Sequence, residues 1–145
     1  MNARIRQAER RDMGACADIL NDWIDGRDWM PRVHTMEEVR DFYSGWMWEN
    51  RDIYVAGDPP VGFMATDRHE EFVTALYVAT PGEGLGKRFI DLAKAGRDEL
   101  RVWTFQANTR AQDFYRREGF VEERRTDGDN EERLPDILFR WEAAA

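Results

Sequence analysis

Three strand-like segments follow one another between residues 52 and 79 with no helix-like segment between them. They read DIYVAG (52–57), VGFMATD (61–67) and EFVTALYVA (71–79), and they contain many β-branched and aromatic residues. The first two are separated by a turn with two prolines, Pro59 and Pro60, which is typical of a hairpin. This stretch therefore predicts a hairpin followed by a third strand of the same sheet.

Segments with helical periodicity lie on both sides of these strands. Asp12 is a candidate N-cap for a helix whose apolar face holds Cys16, Ile19, Leu20 and Trp23. Thr35 and Glu38 have the spacing of a capping box before a second helix. Residues 85–97 and 108–118 predict two more helices, and residues 3–8, 100–106, 120–123 and 137–141 predict four more strands. The order β-α-α-β-β-β-α-β-α-β-β predicts an α+β (mixed α/β) fold with helices packed on one mixed sheet.

Length, charge and cysteine content limit the class of protein. The chain has 145 residues, of which 42% are hydrophobic, and no segment resembles a linker, which predicts one domain over residues 1–145. The net charge of −8 argues against a nucleic-acid partner, because phosphate neutralisation supplies most of that affinity.

The single cysteine, Cys16, excludes an internal disulfide and is expected to be a buried helical thiol. No apolar stretch approaches the ~20 residues of a membrane span, so we expect a cytoplasmic protein with no membrane partner. His34 and His69 lack metal-ligand spacing, and we predict no metal.

A glycine-rich segment, PGEGLGKR at residues 81–88, follows the third strand and opens a predicted helix. Its three glycines expose backbone N–H groups at a helix N-terminus, which favours a phosphate or pyrophosphate. Lys87 and Arg88 add formal positive charge. The Walker pattern does not fit, because Arg88 stands where Ser or Thr is needed, and the dinucleotide pattern needs a glycine at position 87. A plain glycine turn before a helix remains the alternative.

A second segment, NTRAQDFYRREGF at residues 108–120, predicts a helix that Asn108 caps and Gly119 ends. Asn108, Ala111 and Tyr115 follow the spacing i, i+3 and i+7, so they share one helix face. Taken alone, Tyr115 fits a core aromatic residue better than a catalyst.

Together these two segments resemble the GNAT superfamily of N-acetyltransferases. The coenzyme-A loop of that family, Gln/Arg-x-x-Gly-x-Gly/Ala, follows a strand that ends in Leu-x-Val. Here residues 76–78 read LYV and residues 84–86 read GLG, while Pro81 replaces the Gln/Arg. The later helix of the family begins with Asn and ends in Tyr before Gly-Phe, as do Asn108, Tyr115, Gly119 and Phe120.

The resemblance covers roughly residues 5–141 and implies both a fold and a co-substrate. The implied fold is a central mixed, mostly antiparallel sheet of about six to seven strands flanked by about four helices. The implied co-substrate is acetyl-CoA, bound where the neighbouring parallel strands that end at Val78 and Gln106 splay apart. The residues that would bind it are Leu76, Val78, Gly82, Gly84, Leu85, Gly86, Lys87 and Asn108.

The resemblance also implies the chemistry, which is direct attack of a small molecule's primary amine on the acetyl thioester. Tyr115 would be the general acid that protonates the CoA thiolate, and the Val78 N–H would stabilise the oxyanion. Glu70 is the candidate general base, because it shares strand parity with Leu76 and Val78, although a bulge would reverse that argument. A solvated surface carboxylate and a proton path through water remain alternatives.

The acceptor amine is less constrained by the sequence. Trp29 and His34, in the loop between the first two helices, are expected to contact it, with residues 130–136 as a second candidate segment and ordinary loops as the alternative. The acidic composition hints at a cationic acceptor. A protein or peptide N-acetyltransferase and a non-catalytic acyl-CoA-binding module remain alternative functions. Trp46 or Trp48 could form a homodimer contact, and core packing explains them equally well.

Overall fold

One seven-stranded sheet runs through the protein in the computed structural model, which describes residues 3–144. The strands are β1 (Ile5–Gln7), β2 (Arg51–Ala56), β3 (Gly62–Asp67), β4 (Phe72–Val78), β5 (Glu99–Phe105), β6 (Val121–Thr126) and β7 (Asp136–Glu142). The helices are α1 (Met13–Asp25), α2 (Met36–Phe42), α3 (Leu85–Lys94) and α4 (Thr109–Arg117). A π-helical segment, Tyr43–Met47, and a short turn, Trp48–Asn50, continue α2 up to β2.

The sheet is mixed and mostly antiparallel, as predicted. Its spatial order is β1-β2-β3-β4-β5-β7-β6, and β4 with β5 is the parallel pair among these neighbours. That pairing is short, since it joins Phe72 with Arg101 and Val73 with Val102 and goes no further. The sheet therefore consists of two antiparallel parts that touch at the beginning of β4 and β5 and then diverge.

Helices cover both faces of the sheet and bury an apolar core on each. α1 and α2 enclose one core, which includes Cys16, Tyr43 and Phe63. α3 and α4 enclose the other, which includes Phe89 and Tyr115. The prediction of a buried helical thiol is confirmed, because Cys16 has no exposed surface and burial raises its thiol pKa to about 12.

The two predicted helix starts turn out differently. At α2 the capping box is confirmed, with the Glu38 N–H donating to Thr35 Oγ1 (3.1 Å) and the Thr35 N–H donating to Glu38 Oε1 (2.9 Å). At α1 Asp12 occupies the predicted N-cap position, but its side chain accepts no hydrogen bond from the helix, so the prediction that it caps the helix is wrong in that respect. The Asp12 carboxylate instead accepts two hydrogen bonds from the Arg6 guanidinium (2.7 and 2.9 Å) and one from the Glu9 N–H (2.7 Å). Asp12 thus ties β1 to the start of α1.

Two element ends differ from their predicted positions by three residues. α3 ends at Lys94 rather than residue 97, because Gly96 has a φ of +77° and ends the helical path. β6 continues to Thr126 rather than ending at residue 123. Its charged residues face solvent at the sheet edge, so hydrophobic alternation does not reveal them.

β4 carries a bulge at Thr74. Ala65 of β3 pairs with Ala75, and the next β3 residue, Thr66, pairs with Val73, so Thr74 is an extra residue in β4. The Thr74 hydroxyl donates to the Ala65 carbonyl oxygen (3.2 Å).

The bulge reverses which side chains face which core. Val73 lies in the α3–α4 core, and regular alternation would continue with residues 75 and 77. Instead Leu76 and Val78 pack on that core, whereas Ala75 and Tyr77 pack on the α1–α2 core. The carboxyl end of β4 therefore directs Tyr77 toward α1.

Candidate functional site

A cavity of about 490 Å³ opens between β4 and β5 where the two strands diverge. Its walls come from the second halves of these strands, from the loop and helix start that follow β4, and from α4. Trp23 and Arg27, from the end of α1 and the loop after it, reach it from the other face of the sheet. The cavity is thus bounded by residues from both faces.

Backbone groups of β4 face this cavity without a strand partner. The Ala79 N–H donates to the Val61 carbonyl oxygen on the β3 side (2.8 Å). Because backbone groups alternate in direction along a strand, those of Tyr77 also point toward β3, and those of Leu76 and Val78 point into the gap. Leu76 and Val78 both line the cavity. The gap therefore offers donors and acceptors to an extended polar ligand.

The glycine-rich loop forms one end of the cavity. Gly82 and Gly84 have left-handed backbones with φ of +92° and +78°, and a Cβ on either would meet nothing within 4 Å. The first backbone hydrogen bond of α3 runs from the Arg88 N–H to the Gly84 carbonyl oxygen (3.2 Å), which leaves the N–H groups of residues 85–87 outside the helical pattern. All of the loop residues predicted to bind a cofactor, Gly82, Gly84, Leu85, Gly86 and Lys87, line the cavity. This arrangement suits an anion.

Asn108 begins α4 on the opposite wall. Its Oδ1 accepts the Ala111 N–H (3.1 Å), which confirms the predicted N-cap, and the residue lines the cavity. Gln112, which no sequence pattern indicated, is buried, and its Nε2 donates to the carbonyl oxygens of Phe105 (3.1 Å) and Gln106 (2.8 Å). This amide fixes the start of α4 against the end of β5, and so fixes Asn108.

The Tyr115 side chain is buried, but its hydroxyl is not sealed off. The ring packs against Phe114, Phe120 and Phe139 at centroid distances of 5.1, 5.4 and 6.1 Å. Within residues 3–144 the hydroxyl has no hydrogen-bond partner, and it is not among the fully buried polar atoms that lack one. Tyr115 lines the cavity, and burial, with a smaller contribution from Tyr77, raises its pKa well above the usual value. The hydroxyl is therefore a proton donor open to a ligand.

The two basic residues after the glycines do not supply free charge to the cavity. Lys87 lines it, but its Nζ lies 3.1 Å from Glu118 Oε1 and 3.5 Å from Asp91 Oδ1. Arg88 donates to the Ala3 carbonyl oxygen (2.7 Å) on the β1 side and does not line the cavity. The expectation that this pair makes the loop basic is therefore not met.

The free positive charge comes from three other lining residues, Arg27, Arg110 and Arg117. Within the described part of the chain, none of the three forms an ion pair. Arg27 is half-buried, donates from Nη1 to the Trp23 carbonyl oxygen (3.2 Å), and lies 4.7 Å from the Trp23 ring centroid. Burial lowers the pKa of Arg27, and the nearby Arg110 lowers it further. The sequence gives no signal that these arginines share one cavity.

Aromatic rings bound the cavity on the α1 side. Trp23 packs edge-to-face against Tyr77 at 5.2 Å and against Trp29 at 5.7 Å, and Trp29 packs against Phe105 at 5.9 Å. Trp29, predicted to contact the acceptor, therefore supports lining residues without lining the cavity itself.

His34, the other predicted acceptor residue, is exposed and also lies outside the cavity lining. Its Nε2 lies 3.2 Å from Glu131 Oε2, which joins the α1–α2 loop to the β6–β7 loop. Arg32 holds the first of these loops on α1, since it donates to Asp25 Oδ1 (2.9 Å) and Asn21 Oδ1 (3.0 Å). The two loops on the α1 side of the cavity are thus fixed and linked.

Glu70, the predicted base, lies before β4, at the end opposite to the cavity, and does not line it. Its N–H donates to Asp67 Oδ1 (3.0 Å). Glu70 does not share strand parity with Leu76 and Val78 as predicted, because the extra residue Thr74 lies between Glu70 and Leu76.

A second pocket, of about 370 Å³, lies next to the cavity and shares Trp103, Thr104 and Phe105 with it. Three carboxylates, those of Asp129, Glu132 and Asp136, line this pocket. Asp136 is held by the Thr126 hydroxyl and the Asn130 amide. Glu132 is half-buried, and its charge adds to burial in raising the pKa of Tyr77 to about 12. Glu132 is therefore electrostatically coupled to the cavity.

Residues 3–144 contain no cluster of three or more His, Cys, Asp or Glu side chains that could hold a metal ion. No helix in that range is long and apolar enough to cross a membrane.

No protein-family model and no curated protein matches this chain. Solved structures match it over nearly its full length. The solution structure of apo-form YjaB from Escherichia coli has a TM-score of 0.79 at 22% identity and covers 99% of this chain and 100% of that chain. A GNAT-family acetyltransferase from Bacillus cereus has a TM-score of 0.74 at 17% identity, covering 100% and 99%. The structure of yncA from Salmonella typhimurium with its cofactor acetyl-CoA has a TM-score of 0.70 at 20% identity, covering 100% and 98%. The chain therefore has the fold of GNAT acetyltransferases, as predicted.

Proposed function

We propose that this protein is an acetyl-CoA-dependent N-acetyltransferase that acetylates the primary amine of a small molecule. The observation that carries the proposal is the cavity between β4 and β5. It combines unpaired backbone groups of Leu76 and Val78 with an open helix N-terminus at one end. The yncA structure, which shares the fold, was solved with acetyl-CoA.

The cavity suits the separate chemical parts of coenzyme A. Its diphosphate matches the free N–H groups of residues 82–87 at the start of α3. Its amide-containing arm matches the backbone of Leu76 and Val78 on one side and the Asn108 amide on the other. The unpaired Arg117 adds positive charge to the α4 wall.

Acetyl-CoA would supply an activated acetyl thioester. The amine nitrogen forms a bond to the acetyl carbon as the carbon–sulfur bond breaks, which gives the N-acetyl product and the free thiol of CoA. The Val78 N–H donates to the acetyl oxygen as negative charge develops there. The Tyr115 hydroxyl gives its proton to the departing sulfur, and its raised pKa keeps it protonated at physiological pH.

The amine must lose a proton, and we assign that proton to Glu132 rather than Glu70. Glu132 lies in the neighbouring pocket, and its charge reaches Tyr77 in the cavity wall. Glu70 has no contact with the cavity, so its role as base stays a prediction from sequence alone. A carboxylate beside the amine attracts the ammonium form and accepts its first proton, and the second proton, which the nitrogen loses after it bonds to the acetyl carbon, restores the neutral Tyr115.

The linked loops favour a small acceptor over a peptide. An extended peptide needs an open channel, whereas the His34–Glu131 contact joins the α1–α2 and β6–β7 loops. The rings of Trp23 and Phe105, both packed against Trp29, narrow the same side of the cavity. An amine with a compact side chain fits this environment better.

Acetyl-CoA binding is the first test, measured as a shift in melting temperature. At a hundredfold excess over Kd, a ligand that binds only the folded state adds about 2.7 kcal/mol, which is about 5 to 10 °C for a domain of this size. No shift at millimolar acetyl-CoA would refute the proposal. If acetyl-CoA binds, a thiol-release screen of small amines and peptides then measures turnover. Binding without turnover of any amine would leave an acyl-CoA-binding module as the function.

Two glycines make a matched pair for locating the binding site. Gly84 and Gly96 have nearly equal φ angles, +78° and +77°, with open space around both, and they lie at opposite ends of α3. An alanine at either position costs about 1 to 2 kcal/mol of backbone strain. We expect Gly84→Ala to raise the Kd for acetyl-CoA at least tenfold, because its methyl group occupies the phosphate approach, and Gly96→Ala to leave it unchanged. Equal effects of the two variants would contradict this site.

A further inference from the structure

Two unpaired cations lie toward the acceptor side of the cavity. Arg27 follows α1 and packs on Trp23, which in turn contacts Tyr77 and Trp29. It therefore approaches from the face of the sheet opposite to α3 and the glycine loop. Arg110, in the first turn of α4, is the other cation and also lines the cavity.

The environment of Arg27 is unusual for a guanidinium. It is half-buried, and within residues 3–144 it forms no ion pair, although the chain has 29 acidic residues. Two cations that share a cavity repel each other, and burial of an unpaired charge costs free energy. Its bond to the Trp23 carbonyl and its stacking on that ring hold it in place nevertheless. An anionic ligand between the two guanidinium groups would relieve both costs.

We propose that the acceptor is a small amino carboxylate, an amino acid in the broad sense, whose carboxylate binds Arg27 and Arg110. This inference rests on the proposed function and specifies its substrate class. A guanidinium binds a planar carboxylate through paired charge-assisted hydrogen bonds. Glu132, in the neighbouring pocket, would bind the ammonium at the other end of the acceptor. The rings of Trp23 and Phe105, which line the cavity and pack against Trp29 behind them, suit an apolar side chain.

This assignment revises what the overall charge suggests. A net charge of −8 hints at a purely cationic amine, yet the free charges that line the cavity include Arg27 and Arg110. A polyamine would place a second ammonium near these arginines and be repelled. A zwitterion satisfies the two arginines and Glu132 together.

The test compares matched acceptors in a thiol-release assay with saturating acetyl-CoA. The acceptors are compared in sets of three that share one side chain. Each trio consists of an amino acid, its carboxamide and the amine without the carboxylate, for example phenylalanine, phenylalaninamide and phenethylamine. Trios with several side chains are used, so that one poorly fitting side chain does not decide the result. We expect the amino acid to have at least tenfold higher kcat/KM than its amide in the preferred trio.

Arg27→Gln and Arg110→Gln should each reduce this acid-to-amide ratio at least fivefold, without changing the melting-temperature shift produced by acetyl-CoA. Arg110 is exposed on α4, so its variant tests the idea even if Arg27→Gln fails to fold. Arg4→Gln is the control, because Arg4 is exposed and outside the cavity, and its ratio should equal that of the wild type.

The outcomes separate the two proposals. Turnover of amides or simple amines at least equal to that of the acids refutes the amino-carboxylate acceptor and leaves the N-acetyltransferase proposal intact. An equal loss of acetyl-CoA binding in both arginine variants would mean that they hold the cofactor, which also refutes it. Absence of acetyl-CoA binding in the wild type refutes both proposals.

Discussion

Removal of one oxygen atom, in Tyr115→Phe, separates catalysis from stability in this protein. The ring packs on three phenylalanines, while its hydroxyl has no hydrogen-bond partner in the described part of the chain. Phenylalanine retains all ring contacts and leaves no buried group unpaired. The free energy of unfolding should therefore change by about 0.5 kcal/mol or less.

The effect on catalysis should be much larger. A positioned acid contributes about a hundredfold to ten-thousandfold to a rate, which corresponds to about 2.7 to 5.5 kcal/mol of activation free energy. We expect kcat for the best amine to decrease by a factor within that range, and the Kd for acetyl-CoA to stay within about threefold of the wild-type value. Tyr43→Phe is the matched control, since Tyr43 is buried in the α1–α2 core and does not line the cavity.

The pH dependence gives an independent check. The pKa of Tyr115 is raised by burial, so the acid stays protonated at and above its usual pKa of about 10. The kcat of the wild type should not decline between pH 7 and pH 10. A decline with an apparent pKa below 10 that disappears in Tyr115→Phe would refute a buried acid. Unchanged kcat in Tyr115→Phe would remove Tyr115 from the reaction altogether.

Three further predictions concern carboxylates. Glu132→Gln should lower kcat/KM at pH 7 by about a hundredfold, and kcat/KM of this variant should recover as the pH rises toward the pKa of the amine. If Glu70→Gln shows this pH profile and Glu132→Gln does not, Glu70 is the base. Asp12→Asn should lower the free energy of unfolding by about 2 to 4 kcal/mol at pH 7 in urea titrations, because it breaks a buried ion pair. Since the folded state lowers the pKa of Asp12, its stabilisation is complete above the usual carboxyl pKa of about 4, and the difference should shrink as pH falls through the lowered value. Glu118→Gln should remove the nearer of the two carboxylates that pair with Lys87 and tighten acetyl-CoA binding severalfold at low salt, and weaker binding would contradict this electrostatic account.

Local patterns in the sequence were enough to predict the order of the elements, and the resemblance to the GNAT superfamily added the mostly antiparallel sheet. Runs of apolar, β-branched and aromatic residues in 52–79 are typical of strands, and the helical spacing around Val39 and Phe89 reflects burial on one helix face, so the main elements could be placed. The glycine loop, Asn108 and Tyr115 were also identified, because each belongs to a short continuous motif. All of them line the cavity.

The charges of the site could not be predicted from sequence, because they depend on contacts between distant segments. Lys87 meets Glu118, 31 residues away, and so loses the free charge that its position suggests. Arg27 and Arg110 belong to separate elements, and the topology of the sheet brings them into one cavity. Neither pairing leaves any trace in local spacing.

The extra residue Thr74 reverses the alternation of side chains along β4. Hydrophobic residues fill positions 75 to 78 on both faces, so a one-residue shift would still give a plausible buried strand. Such a shift would nevertheless place the Tyr77 side chain on the face that Leu76 and Val78 now occupy. It would also turn the backbone groups that now face the gap toward β3. The register of this strand, rather than its composition, therefore determines which of its groups reach the cavity. A search for proteins with the same site should compare the position of the irregularity before it compares residue identities.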